Sequence, residues 1–448
     1  MLTRSNKNYL VIFLLNGLFF SCSQPSFAQE AKQQSIALED FIKEALANNR
    51  ELQAAREELQ AARHRVPQSS ALPDPTLGYA VMGPDLETRL GPQMGVYEFE
   101  QMVPFPGKLI EKRKMAAAEV EAASAKLKLA EREVVFKVSE IYYDLSALDA
   151  TLQVVEEVKQ ALKNFESIAS ARYSSQKGEQ RDVAKAQVEV SETLEKIYML
   201  DQQRESLTAM LNALLNRRPP GSFVGLKFSE LPVLSLSLED LLLKARENRP
   251  ELLEAMALRK REQHANALAK YEYAPDISVG FQYTQIGEGM TSEPDDGKDA
   301  WMVPLKITFP LWQNRIVPAV QEARRNLKAS EARLEQTENF TDYEIKNAYY
   351  RFTSAKKITE LYRNALIPEA ELAFRSDQAG YEGGKTDILN LIDSERVYLN
   401  AKIAYYQALN ETLKNFAAME RIAGRGLSKE NDNKSPQREG EEGAGHEK

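Results

Sequence analysis

Between residues 108 and 177 the chain contains neither glycine nor proline. This 70-residue stretch is rich in Ala, Glu, Lys and Leu and predicts a single helix, about 105 Å long at 1.5 Å per residue. No ordinary globular core is that wide, so the helix must lie along partners of comparable length. Its apolar stripe runs through Val134, Val138, Ile141, Leu145, Leu148, Leu152, Val155, Val158, Leu162 and Phe165. The steps alternate three and four, with one slip at Val155–Val158, which is the spacing of coiled-coil packing. Alanine pairs such as Ala116-Ala117 and Ala122-Ala123 suit close helix approach. The stripe is read as packing, with no ligand involved.

The long helix is one part of a unit that occurs twice. LEDFIKEALANNREL (38–52) matches LEDLLLKARENRPEL (238–252), Pro73-Asp74 matches Pro275-Asp276, and Phe105-Pro106 matches Phe309-Pro310. Further along, Tyr142-Tyr143 matches Tyr349-Tyr350, and Tyr173 with Lys177 matches Tyr381 with Lys385. Duplication is the simplest account. The boundaries it predicts are 36–218 for the first unit, 219–237 for a linker and 238–424 for the second. In the second unit a breaker-light run from Ala319 to Ile367 is expected to kink at Pro368.

Each unit also holds two alternating segments. Residues 276–286 put Ile277, Val279, Phe281 and Tyr283 on one face and Ser278, Gly280, Gln282 and Thr284 on the other. Residues 301–311 read as one strand, with Trp301, Val303, Leu305, Ile307 and Phe309 opposite Lys306 and Thr308. In the first unit Leu77, Tyr79 and Val81 alternate, as do Tyr97, Phe99 and Val103 against Glu98 and Glu100. One greasy, aromatic-rich face and one polar face make the pattern of a transmembrane strand facing a watery lumen. An ordinary half-buried sheet gives the same alternation. Four strands cannot close a barrel, and an open edge in lipid leaves backbone groups unpaired, so several chains would have to share one barrel. Three chains supply twelve strands. Phe105-Pro106 and Phe309-Pro310 are then hinges where a strand stops and a helix begins, since proline has a fixed φ and no N–H.

The termini fit an exported protein. Arg4 and Lys7 precede an apolar run over 9–20, and Ser26-Phe27-Ala28 supplies a small-x-small cleavage site, so 1–28 reads as a secretory signal. Cys22 as a lipid-modified N-terminus is the alternative, and in either case the mature chain has no disulfide. Residues 425–448 are polar and Gly-rich and predict a disordered tail. A net charge of −8 argues against nucleic acid as a partner. No phosphate-binding glycine loop and no HExxH is present, so no catalytic residue is expected. His64 and His264 fall at roughly matching places and read as packing or surface residues, and no metal or cofactor site is expected.

With these features in hand, the chain resembles the TolC family of outer-membrane efflux channels over about residues 36–424. The likeness rests on the duplication and on ALPDPTLGYAVMG (71–83), EQMVPFPGKL (100–109), ARYSSQKGEQRDVAKAQVE (171–189) and YEGGKTDILNLIDSER (381–396). The LPDP, FPGKL and KGEQRDVAKAQVE pieces look most like the heavy-metal branch. The resemblance implies a mainly α chain with a transmembrane β part. Four strands per chain would enter a homotrimeric twelve-stranded barrel in outer-membrane lipid, continued by a periplasmic α-helical barrel. It implies a Gram-negative outer membrane, no catalysis, a periplasmic adaptor (membrane fusion protein) docking at the helical tips, and an inner-membrane pump of the resistance-nodulation-division type. The tip turns are those at Gly178 and at Gly383-Gly384. Asp182 and Tyr381 match the family's tip-gate positions. Thr386 stands where the family has an arginine, with Lys385 beside it. Asp393 matches one narrowing acidic ring, and Asn390 stands at the other. Metal, drug or protein cargo remain open readings, and a soluble periplasmic scaffold or adaptor is the alternative of another class.

Overall fold

The computed structural model describes residues 37–83, 87–218, 223, 226, 228, 231–289 and 294–427. The expected export signal with Cys22, residues 219–222, 224–225, 227 and 229–230 of the linker and the tail from 428 onward lie outside the described residues. The first unit runs α1 (Leu38–Asn48), α2 (Arg50–Ser69), β1 (Thr76–Val81), β2 (Glu87–Thr88), β3 (Gly91–Val103), α3 (Pro106–Ser174) and α4 (Gln180–Leu214). The second runs α5 (Leu238–Asn248), α6 (Pro250–Tyr271), β4 (Asp276–Ile286), β5 (Ala300–Met302), β6 (Leu305–Thr308), α7 (Gln313–Leu361), a π-helical turn (Tyr362–Leu366), α8 (Ile367–Glu382) and α9 (Ile388–Ala423).

Local chemistry explains the joints. Asn49 is extended, and its side-chain oxygen accepts from Glu51 N–H at 2.9 Å and Leu52 N–H at 3.2 Å, ending α1 and capping α2. The second unit places Arg249 there instead, buried and paired with Glu251 and Glu344. Ser237 opens α5 through a reciprocal capping box with Asp240.

The 69-residue α3 is the spine, packed along α2, α4, α6 and α9. Of the ten stripe residues, all but Leu152 are buried. Ala116, Ala118, Ala122 and Ala125 are buried as well, where small side chains let helices approach closely. Three apolar clusters make up the core, the first and third built from corresponding elements of the two repeats and the second near the tips. Phe41, Val138, Leu145, Leu211 and Leu413 belong to one, Val155, Leu162, Phe165, Ile388 and Leu391 to the second, and Leu241, Ile345, Phe352 and Met419 to the third.

Four expectations need correction. The strand expected over 301–311 is broken into β5 and β6, because Pro304 has no N–H to give the ladder. The two hinges also differ: Pro106 is the first residue of α3, whereas Pro310 lies outside any helix and α7 begins at Gln313, capped by Trp312. At Pro368 the helix does not simply kink, because the π-helical turn Tyr362–Leu366 immediately precedes α8, in which Pro368 occupies the first turn. Leu427, assigned to the tail by composition, is fully buried against the third cluster.

Candidate functional site

The strands form one antiparallel sheet in the order β1-β3-β4, with β5 and β6 both on the far side of β4. Register assembles the two faces. Leu77, Phe99 and Phe281 stand opposite one another, as do Tyr79, Tyr97, Tyr283 and Trp301, and Val103, Ile277 and Ile307. Apart from the half-buried Tyr283 these side chains are exposed; Leu77 retains 82% of its surface and Trp301 69%. The opposite face carries Glu98, Glu100, Gln282, Ser278 and Lys306, with Lys306 bonded to Glu100 at 2.6 Å. An apolar face this continuous is unstable in water and suited to lipid. The row of three tyrosines and Trp301 lies eight residues along β3 from Phe105, where Phe309, Leu311 and Trp312 are also exposed. That is roughly 26 Å along a strand, or about 20 Å along the normal of a barrel with strands tilted 35–45°. Aromatic belts on an outer-membrane barrel flank an apolar band of about 25 Å. Among the described residues no helix is long and apolar enough to cross a membrane.

Asp276, the first residue of β4, ties the sheet to the helices. Its carboxylate accepts from Phe105 N–H at 2.8 Å and from Lys108 Nζ at 2.8 and 3.0 Å. Lys108 is buried, so the pair holds the first unit's hinge against the second unit's strand. One turn on, the buried Glu111 meets His264 Nδ1 at 2.7 Å and Lys114 at 2.9 Å. His264 is thus engaged at this junction. Among the described residues no group of three or more His, Cys, Asp or Glu could hold a metal ion.

At the other end, two turns of the same construction close the tips. Lys177 N–H reaches Arg172 O at 2.8 Å, and Lys385 N–H reaches Gly380 O at 2.8 Å. The left-handed residue is Gln176 (φ 60°) in the first turn and Gly384 (φ 71°) in the second, so Gly178 is not the residue that turns the chain. Gly178 provides space: a Cβ there would lie 3.0 Å from Arg172 Cβ. In the second turn the sizes are exchanged, with Gly380 facing Thr386, and a Cβ on Gly380 would fall 2.1 Å from Thr386 Oγ1. One small residue is needed at each crossing, and either side can supply it.

Tyr381 is buried, with its hydroxyl unpartnered among the described residues, and burial raises its pKa. Arg172 binds it twice, donating to Tyr381 O at 2.7 Å and lying over the ring at 4.9 Å. Asp182 is half-buried, 3.8 Å from Arg181. Lys385, Asn390 and Asp393 are exposed, and no partner is present for their side chains among the described residues. Asn390 and Asp393 line a groove between α4 and α9 with Lys185, Glu189 and Arg396, where Arg396 binds Glu189. Beneath it lies Glu395, 3% exposed, with Oε1 unpartnered. Burial, helped by Glu189 and opposed by Arg396, pushes its pKa up to about 7. Sequence reasoning missed Arg172, Gly380 and Glu395. The repeat alignment could have found the Gly380/Gly178 exchange, but nothing in the sequence marks Glu395 as buried.

A sheet with one lipid-type face and one polar face, set on a long helical bundle with ordered tips, defines a membrane-embedded duct. The chain belongs to the family described as outer membrane efflux protein, which matches residues 41–217 and 241–425, one segment per repeat. It is 23% identical over 408 residues to the cobalt-zinc-cadmium resistance protein CzcC of Cupriavidus metallidurans, covering 90% of this chain and 93% of that protein. Its fold is that of VceC from Vibrio cholerae (TM-score 0.72, 18% identity, 87% of this chain and 97% of that one). The crystallised CusC shares it as well (TM-score 0.73, 18% identity, 87% and 92%). The protein is therefore an efflux channel of the Gram-negative outer membrane with a large periplasmic part, in a family of non-enzymatic ducts.

Proposed function

We propose that three copies of this chain form the passive exit duct of a tripartite efflux system for heavy-metal cations. The observation that carries the reading is the four-stranded sheet with a continuous lipid-type face and two unpaired outer edges, on β1 and on β5/β6. Such edges cannot persist in a bilayer, and three copies close them into twelve strands around the Glu98, Glu100 and Lys306 face. The tips are the docking place for a periplasmic adaptor through the turns at Gly178 and Gly383-Gly384, and cargo enters from an inner-membrane pump. Asp182, Tyr381, Lys385, Asn390 and Asp393 gate the periplasmic mouth. The likeness to a cobalt-zinc-cadmium resistance protein supports divalent cations as cargo. A duct has no need to hold its cargo tightly, and the polar sheet face, without a built metal site, suits passage.

The test is the mass of the protein extracted by mild detergent from purified outer membranes, with growth of a deletion strain on metal salts and on organic toxicants. A detergent-dependent trimer and loss of tolerance to zinc, cobalt or cadmium are expected. A monomer released without detergent overturns the duct; lost tolerance to organic compounds alone overturns the cargo.

A further inference from the structure

The β3–β4 contact joins the two repeats inside one chain, and it supplies a template for the edges left open. The β3–β4 register pairs odd residues with odd and even with even, and Phe105 N–H, on an odd residue, ends on Asp276. Gly280 N–H donates to Pro304 O, so even-numbered residues bond within the second hairpin. Alternation then turns the N–H and C=O of Leu305 and Ile307, and the N–H of Phe309, toward the open edge. Met82 N–H donates to Met94 O, which likewise leaves Leu77, Tyr79 and Val81 pointing out from β1. Both edges therefore expose their bonding groups on odd residues, and odd residues carry the apolar side chains of both. The two edges are complementary in hydrogen bonding and in face at once.

The repeat correspondence places Asp74 where Asp276 stands, and Phe309 where Phe105 stands. Phe105 and Asp276 are bonded within the chain, whereas Phe309 N–H has no partner among the described residues. Asp74 is exposed, and its carboxylate likewise has none. We infer that Phe309 N–H donates to Asp74 of the partner subunit, pinning the strands between subunits in the register that sets Leu305 opposite Leu77 of the partner subunit and Met302 opposite Ala80 of the partner subunit. Asp74 is thus a positioning residue for assembly. At the Lys108 position the second unit has Trp312, so this carboxylate has no buried ammonium and relies on the backbone donor. Pro75, at the start of the edge, tolerates the contact because a strand's first residue can do without its N–H.

The inference rests on the trimeric duct, and its test separates the two. Full-length protein carrying Met302→Cys with Ala80→Cys, Gly78→Cys or Met82→Cys is oxidised in outer membranes, and its mass is measured in mild detergent and after denaturation. These side chains lie on the lumen face, at the closely spaced non-bonded positions of the ladder. Covalent multimers from the Ala80 pair alone are expected. A trimer linked only through Gly78 or Met82, or through none, overturns the register and leaves the duct standing; a detergent-solubilised monomer overturns both. In the unlinked protein, Asp74→Ala should lower the temperature of trimer dissociation, and Asp74→Asn, which keeps an acceptor, should restore most of the loss. Equal loss from both, or none from either, removes Asp74 from the contact.

Discussion

Replacing Glu395 by glutamine tests the buried carboxyl beneath the tip groove. In the fold its pKa is about 7, against a model-compound value of 4.5, because the side chain is 3% exposed and faces Glu189, with Arg396 as the opposing charge. The folded state therefore holds its proton more tightly than the unfolded state does. Stability associated with this group is greatest below pH 4.5, falls as the unfolded chain ionises, and levels off once the pH passes the folded pKa. Worked from those two values, the cost to the native state is about 1 kcal/mol at pH 5.5 and about 3 kcal/mol at pH 8.5. Glutamine has nearly the same shape and no charge. Glu395→Gln should recover these amounts, and for a chain of this length the entropy of unfolding converts 1 kcal/mol into about 1 °C. Thermal unfolding in detergent, followed by circular dichroism, should show a gain of roughly 3 °C at pH 8.5 and roughly 1 °C at pH 5.5. An equal shift at both pH values, or a loss at pH 8.5, refutes the reasoning: the carboxylate would then be ionised and partnered in the assembled protein.

Two further outcomes follow from the tip geometry. Arg172→Ala removes the bond to Tyr381 O and the cation over its ring, worth about 1.5–3 kcal/mol together, and should raise single-channel conductance in planar bilayers. Unchanged conductance would mean that the contact does not restrain the mouth. Gly380→Ala should destabilise the second turn by about 1–3 kcal/mol through collision with Thr386, and Thr386→Gly in the same chain should repair it. Unfolding temperatures of the single and double variants read this out directly.

Much of this architecture is legible without coordinates. Freedom from breakers over 108–177 dictates a helix too long for any single core, because backbone hydrogen bonding propagates where nothing interrupts it. Period-two alternation determines which face of each strand is apolar, and the paired Pro-Asp and Phe-Pro motifs reveal the duplication. Tertiary structure decided the rest. The lock on the first hinge comes from Asp276, 171 residues away from Phe105, and no local pattern encodes a contact at that range. Pro310 and Pro106 look alike in sequence, yet only Pro106 starts a helix. Gly178 looks like the turning residue, but Gln176 takes the left-handed conformation, and Gly178 instead serves the close approach of Arg172, whose Cβ would lie 3.0 Å from a Cβ at position 178. The proton held by Glu395 is the plainest case. Its sequence is that of a solvated helix face, and its pKa is set by the neighbours that the folded bundle packs around it.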